Sequence, residues 1–343
     1  MNTSNATDCV DDCISNFTNT TKSTDFQEHQ QITFLNILAS LITSIIAFTA
    51  FTGNLAVIIV SLWVENLRSQ SGNILIVFLA CIDVWTSVFV MTPSAVAVAV
   101  GGWPFGDISC RINAVFNYMC ACTSSYIAAM ISFDRAVAVL YPLKYKSRMT
   151  KRVIVTICLW IIGNTGTVGI ICGSTPSVSY DYFEAVCAVP YDEYLGKVFV
   201  HCGCTICYFI PALIMAICNI MILLQIRKCS KTVRIIQISH IGNKLEDLRV
   251  KKRRESDMRK SIYSMMAIIS VYFICVSPYA LTKEVKVIID DNAPSWFNYS
   301  TTILIFISSA TNPFIYGILR KDYREGFKKL MKLTRGKSYY YFN

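Results

Sequence analysis

Three kinds of residue in this 343-residue chain could do chemistry. Asp83 is a carboxylate in a stretch that is otherwise uncharged from Ser69 to Gly106. A carboxylate in apolar surroundings is costly unless it is partnered, so it is a functional candidate, suited to holding a cation or a proton. Asp134 and Arg135 are an adjacent acid and base; at a surface such a pair is worth under about 1 kcal/mol, so a role beyond stability is worth seeking. Fifteen cysteines form the third group. No C-x-x-C pair among them is matched by a second one, so a zinc site is not expected. Most fall in apolar stretches (Cys81, Cys120, Cys122, Cys158, Cys202, Cys204, Cys207, Cys218 and Cys275) and read as small packing residues. No nucleotide-binding loop, nucleophile constellation or metal cluster is visible, which argues against an enzyme.

The elements that hold these residues follow from composition. The chain is 54% hydrophobic and 16% charged, against roughly 25% charge in an ordinary soluble domain. Seven long windows are almost free of charge, and Asp83 is the one carboxylate within them. Each can span a bilayer, which takes about 20 apolar residues. Backbone amides in lipid must be satisfied within the protein, so the spans are helices or barrel strands. The windows are too long and too uniformly apolar for strands. The expected fold is an all-α membrane protein, a seven-transmembrane helix bundle over residues 33–318. Its helices cover about 32–63, 71–97, 107–140, 151–173, 196–226, 257–287 and 294–318. Residues 319–343 form a short amphipathic cytoplasmic helix near Lys321–Lys332 and a tail.

The basic residues set the orientation. With residues 1–32 outside, the inner face carries Arg68, six Lys/Arg between Arg135 and Arg152, twelve between Arg227 and Lys260, and eight between Arg320 and Lys337. The outer face carries only Lys22, Arg111, Lys197, Lys283 and Lys286. The net charge of +10 therefore points to membrane lipids and a cytosolic partner, not to nucleic acid. The run Lys251-Lys252-Arg253-Arg254 reads the same way. The first 32 residues lack a cleavable signal pattern and carry glycosylation sequons at Asn2, Asn5, Asn16 and Asn19. A fifth sequon, Asn298, lies too close to the membrane to be expected to carry a glycan. Cys110 and Cys187 both face the outside, where a disulfide persists. Pairing of Cys9 with Cys13 stays open.

An ordered set of motifs then runs along the helices. It comprises Gly53-Asn54, Leu79-Ala80-Cys81-Ile82-Asp83 and Trp103-Pro104-Phe105-Gly106 ahead of Cys110. It continues with Asp134-Arg135-Ala136, then Val139, Pro142, Leu143 and Tyr145, then Trp160, Pro211, Cys275-Val276-Ser277-Pro278 and Asn312-Pro313-Phe314-Ile315-Tyr316. In this the chain resembles the rhodopsin-like (class A) G-protein-coupled receptors over about residues 33–330. Helices one to four are nearest to the biogenic-amine branch.

The resemblance implies a plasma-membrane receptor that passes an extracellular ligand signal to a heterotrimeric G protein. It implies a coupling and switch set of Asp134, Arg135, Tyr272, Pro278, Asn312, Pro313 and Tyr316. It also implies a possible allosteric sodium ion in a network of Asn54, Asp83, Ser124, Ser308, Ser309 and Asn312, and no other cofactor. Many relatives have a glutamate at the position of Met258 that locks Arg135 to helix six; its absence here predicts a weak lock and raised basal signalling. Four switch positions depart from the usual residues: Val276 for Trp, Tyr272 for Phe, Ser125 for Ile or Val, and Asn219 for Tyr. Either the switch is rewired around Tyr272 and Phe273, or activation is impaired.

The expected pocket lies between helices three, five, six and seven, under the Cys187 loop. Its candidate residues are Asn117, Tyr118, Cys207, Tyr279, Lys283, Asn298, Thr302 and Phe306. Asn117 stands where amine receptors have an Asp, so the anchor for a small cation is missing. Lys283 suits an anion, although a lysine that snorkels to the water is the plainer reading. Helix seven has no lysine for retinal. A small molecule or short peptide remains the ligand class. A constitutive receptor or scaffold, and a seven-helix transporter, are the alternatives.

Overall fold

The computed structural model describes residues 34–190, 194–239, 266–267, 269–288 and 294–334. Asn2, Asn5, Asn16, Asn19, Cys9, Cys13, Lys251–Arg254 and Met258 lie outside the described residues. Helix α1 spans Phe34–Trp63, α2 Asn73–Val100, α3 Gly106–Leu140 and α4 Lys151–Gly173. Helix α5 runs from Tyr194–Cys204 through a π-helical turn, Thr205–Phe209, into Ile210–Ser239. Helix α6 covers 269–288, α7 Ser295–Leu319 and α8 Lys321–Thr334. Short helices Glu65–Ser69 and Pro142–Arg148 follow α1 and α3. An antiparallel hairpin, β1 (Ser179–Asp181) and β2 (Val186–Ala188), lies between α4 and α5.

The chain is a seven-helix membrane bundle, as its apolar windows require. The outward faces of α1, α4 and α5 expose Phe48, Trp160 and Leu213, while Thr43, Asn54, Thr123 and Ser132 are buried inside. That distribution suits lipid as the solvent and would be ruinous in water. One boundary differs from expectation. Helix α5 was expected to stop near residue 226 and continues to Ser239. No Gly or Pro interrupts that stretch, and a helix already formed adds residues without a further nucleation cost.

Three helix prolines show how the interior is built. Proline deletes the hydrogen bond to the carbonyl four residues earlier, and a freed carbonyl inside a bundle needs another donor. Pro93 frees Phe89 O, which accepts a bond from Asn113 Nδ2 at 2.9 Å. Pro313 frees Ser309 O, which accepts from Asn54 Nδ2 at 3.0 Å. Pro93 and Pro211 each follow a π-helical turn, Ser87–Met91 and Thr205–Phe209, which accommodates the ring. Tyr126 on α3 donates to Ile206 O, in the second of these turns, at 3.0 Å.

Small residues set the helix spacings. A Cβ on Gly169 would come within 2.7 Å of Val115 O, and one on Gly173 within 2.9 Å of Arg111 O. These two glycines, one turn apart on α4, let α3 approach backbone to backbone. A Cβ on Gly53 would sit 2.9 Å from the Pro313 ring, so Gly53 makes room for the proline and Asn54 satisfies the carbonyl that it frees. Helix α8 is held by Tyr323, which is fully buried, with Phe327 and Leu330 packed beside it on the core.

Candidate functional site

At the Cys110 end of the bundle, Cys110 is disulfide-bonded to Cys187 of β2, with Cα atoms 5.5 Å apart. Asn113 reinforces the joint. Its Nδ2 serves the Pro93 site on α2, and its Oδ1 accepts the Cys187 amide at 3.0 Å. One side chain thus fixes α2, α3 and the hairpin together. Trp103 and Tyr180 pack around the disulfide.

Beneath the hairpin a cavity enclosing about 1420 Å³ of empty space, mouth included, runs between α3, α5, α6 and α7. Seven expected pocket residues line it: Asn117, Tyr118, Cys207, Tyr279, Lys283, Thr302 and Phe306. Asn298 does not. It is buried, and its backbone carbonyl accepts the hydroxyls of Thr301 and Thr302. The cavity continues inward to Asp83, Ser124, Ser308, Ser309 and Asn312. The polar network and the pocket, separate in the sequence reading, share one space. Asn312 Nδ2 donates to Asp83 Oδ2 at 2.9 Å, and Ser309 is also in hydrogen-bonding reach of that carboxylate. Asn54 is not in the cavity wall; its amide donates to Ala50 O and Ser309 O.

Two readings need correction. Cys122 and Cys207 are not packing thiols. They form a second disulfide, Cα–Cα 4.7 Å, that joins α3 to α5 in the cavity wall. Both sit among apolar residues, so neither sequence context marks them as a pair. Lys283 does not snorkel. Its ammonium is buried and ion-paired with Glu184 at the hairpin tip, and it lies 4.9 Å from the centre of the Tyr279 ring. The partner comes from a distant loop, which no helical pattern reveals.

Lower in the bundle, the departures at two switch positions complement each other. Tyr272 on α6 donates to Ser125 Oγ on α3 at 2.7 Å. Tyr208 stacks on Tyr272 and donates to Ser277 Oγ at 2.6 Å, beside Pro278. Phe273 meets Tyr272 edge to face. A polar bridge therefore occupies the place where an apolar pair is usual.

At the opposite end Arg135 pairs with Asp134, which is fully buried. Tyr145, on the short helix Pro142–Arg148, donates to Asp134 Oδ1 at 2.9 Å and accepts from Arg135 at 3.3 Å. Gly72 closes over this cluster: a Cβ there would sit 2.8 Å from Asp134 Oδ2. Arg320 donates to Asn73 Oδ1 at 2.8 Å. Tyr316 is buried against Tyr323, ring centres 5.3 Å apart, and its hydroxyl has no hydrogen-bond partner among the described residues. Sequence reasoning singled out neither Asn73 nor Asn113.

A seven-helix membrane bundle with a roofed cavity at one end and a buried Asp–Arg pair at the other has the form of a transmembrane receptor. Residues 53–316 match the 7 transmembrane receptor (rhodopsin family) model, and the chain belongs to that family. It is 24% identical to galanin receptor 2b of Danio rerio, over 90% of this chain and 79% of the relative. It is 26% identical to the D(1C) dopamine receptor of Xenopus laevis, over 88% and 69%. It is 23% identical to 5-hydroxytryptamine receptor 4 of Homo sapiens, over 90% and 82%. The protein is a multi-pass G-protein-coupled receptor and not an enzyme.

Proposed function

We propose that the extracellular ligand occupies the cavity beneath the Cys187 hairpin and that the heterotrimeric G protein docks at the Arg135 end. The N-terminus faces outward at the plasma membrane, with the basic loops inside. The observation that carries this reading is the placement of the two ends. A roofed, largely apolar cavity with a few polar groups is suited to binding, and Arg135 lies at the far end, where a change in helix packing can release it. Helix α6 would move outward about Pro278, with the Tyr272–Ser125 bridge breaking as it does so.

The donors around Asp83 fit a sodium ion. One carboxylate, the hydroxyls of Ser124, Ser308 and Ser309, and the Asn312 amide offer hard oxygen ligands in one space. A bound cation would favour the resting arrangement if it binds that arrangement better. In such a site Asp83 supplies the charge, and Asn312 orients the carboxylate from α7.

A high basal output is part of the proposal. The partners of Arg135 come from its own helix and the following short helix, and Met258 stands where many relatives carry the locking glutamate. The test is second-messenger output in transfected cells matched for surface expression. The receptor should exceed mock cells without ligand, Arg135→Ala should return it to the mock level, and sodium should lower it except in Asp83→Asn. Output equal to mock cells would refute the weak lock, and output unchanged by Arg135→Ala would refute this route of coupling.

A further inference from the structure

Lys283 and Lys286 stand one turn apart on α6, and both are buried. Both point at a single loop carboxylate. Lys283 is paired with Glu184 Oε2, and Lys286 Nζ lies 3.9 Å from Glu184 Oε1. Glu184 sits between β1 and β2, and the hairpin delivers it there. Asp181 Oδ1 accepts the amides of Phe183 and Glu184 at 2.8 and 3.2 Å, and Ala185 turns the chain with φ 55°. A loop acid is thus laid on two lysines, one of which lines the cavity.

The two ends of this ion pair are not equivalent to an incoming ligand. Lys283 lines the cavity, and it is the one cationic side chain in the wall among the described residues. Glu184, Lys286 and Asp181 do not line it. Among the described residues the one carboxylate in the wall, Asp83, is at the deep end and is held by Asn312. An amine entering from the mouth would meet an ammonium, and among the described residues the wall offers it no carboxylate short of Asp83. An anion would meet Lys283 directly. Replacing Glu184 would leave no buried charge alone, because Lys283 exchanges one carboxylate for another while Lys286 stays beside Glu184. Such an exchange avoids the large penalty of an unpaired buried charge. Apolar residues of the wall include Val186, Val200, Val276, Ile305 and Phe306, beside the polar groups of Asn117, Tyr118, Tyr279 and Thr302.

We propose that the ligand is an amphiphilic carboxylate: its acid group displaces Glu184 from Lys283, and its apolar body fills the cavity below. Glu184 is then a tethered competitor that occupies Lys283 until an external acid takes its place. This inference rests on the ligand-cavity reading above.

The test uses purified full-length receptor and a fixed probe set. Phenylacetate, indole-3-acetate and octanoate are compared with their primary amides and with phenethylamine and tryptamine. Binding is read as a rise in thermal midpoint with concentration. At least one acid should bind while its amide does not. Glu184→Gln should lower that acid's half-maximal concentration tenfold or more, and Lys283→Gln should abolish the response. If Glu184→Gln does not fold, the neutral pair Lys283→Gln/Glu184→Gln serves instead; it should reach the surface and ignore every acid. Acid binding that survives Lys283→Gln or persists in the neutral pair, binding by the amines alone, or no acid bound by wild type or Glu184→Gln would each overturn the proposal. Arg135-dependent nucleotide exchange in the same preparations separates the two levels. If exchange is intact and the acids fail, the ligand inference falls and the receptor reading stands.

Discussion

Tyr272 of α6 and Ser125 of α3 are joined by a 2.7 Å hydrogen bond across the middle of the bundle. Both side chains are buried, and both line the cavity. A buried neutral hydrogen bond contributes about 1 kcal/mol net. Tyr272→Phe should therefore shift the resting-to-active balance roughly fivefold toward the active form. Ser125→Ala should do the same, and the double substitution should add little to either. Basal nucleotide exchange at matched receptor density is the readout. Additive effects would mean that the two residues act separately.

Tyr145 holds Asp134 while touching Arg135. Hydrogen bonds to a charged group contribute about 1.5–3 kcal/mol. Tyr145→Phe should raise basal output roughly tenfold or more without loss of surface expression, because the Asp134–Arg135 pair remains. No rise would assign the resting hold to Asp134 alone.

The bridge from Cys122 to Cys207 is checked chemically. Alkylation and peptide mapping without reductant should recover the two peptides linked, and dithiothreitol should release them. Replacing both cysteines with alanine should lower the thermal midpoint of the solubilised receptor by roughly 5 °C, from a disulfide contribution of about 2 kcal/mol. Separate peptides in the unreduced map would remove the bridge from the account.

Some of this was legible in the sequence and some was not, for physical reasons. The seven spans were readable because lipid imposes length and polarity on each segment independently. Cys110 and Cys187 stood out because topology put both outside. The Cys122–Cys207 bridge was hidden because a cysteine that packs and one that pairs look alike in an apolar helix. Lys283 was misread because its partner, Glu184, is 99 residues away and is brought in by a loop. Asn298, grouped with the pocket from the sequence, is buried outside the cavity wall. Asn54 and Asn113 illustrate the converse. Each serves a carbonyl that a proline on a neighbouring helix frees, a relation invisible until the helices are packed.

The α3–α4 contact depends on Gly169 and Gly173. Gly169→Leu should abolish surface expression, because even a Cβ meets the Val115 carbonyl. Gly163→Ala on the same helix, where a Cβ meets nothing within 4 Å, should express as wild type. Flow cytometry of an epitope-tagged chain reads both.

The central claim is that α6 moves when the receptor couples. A spin-label pair on Val153 of α4 and Ala267, just ahead of α6, reads that movement as a distance distribution in reconstituted receptor. Adding nucleotide-free G protein should populate a second, longer distance, and Arg135→Ala should prevent it. A single unchanged distance while nucleotide exchange proceeds would contradict the account.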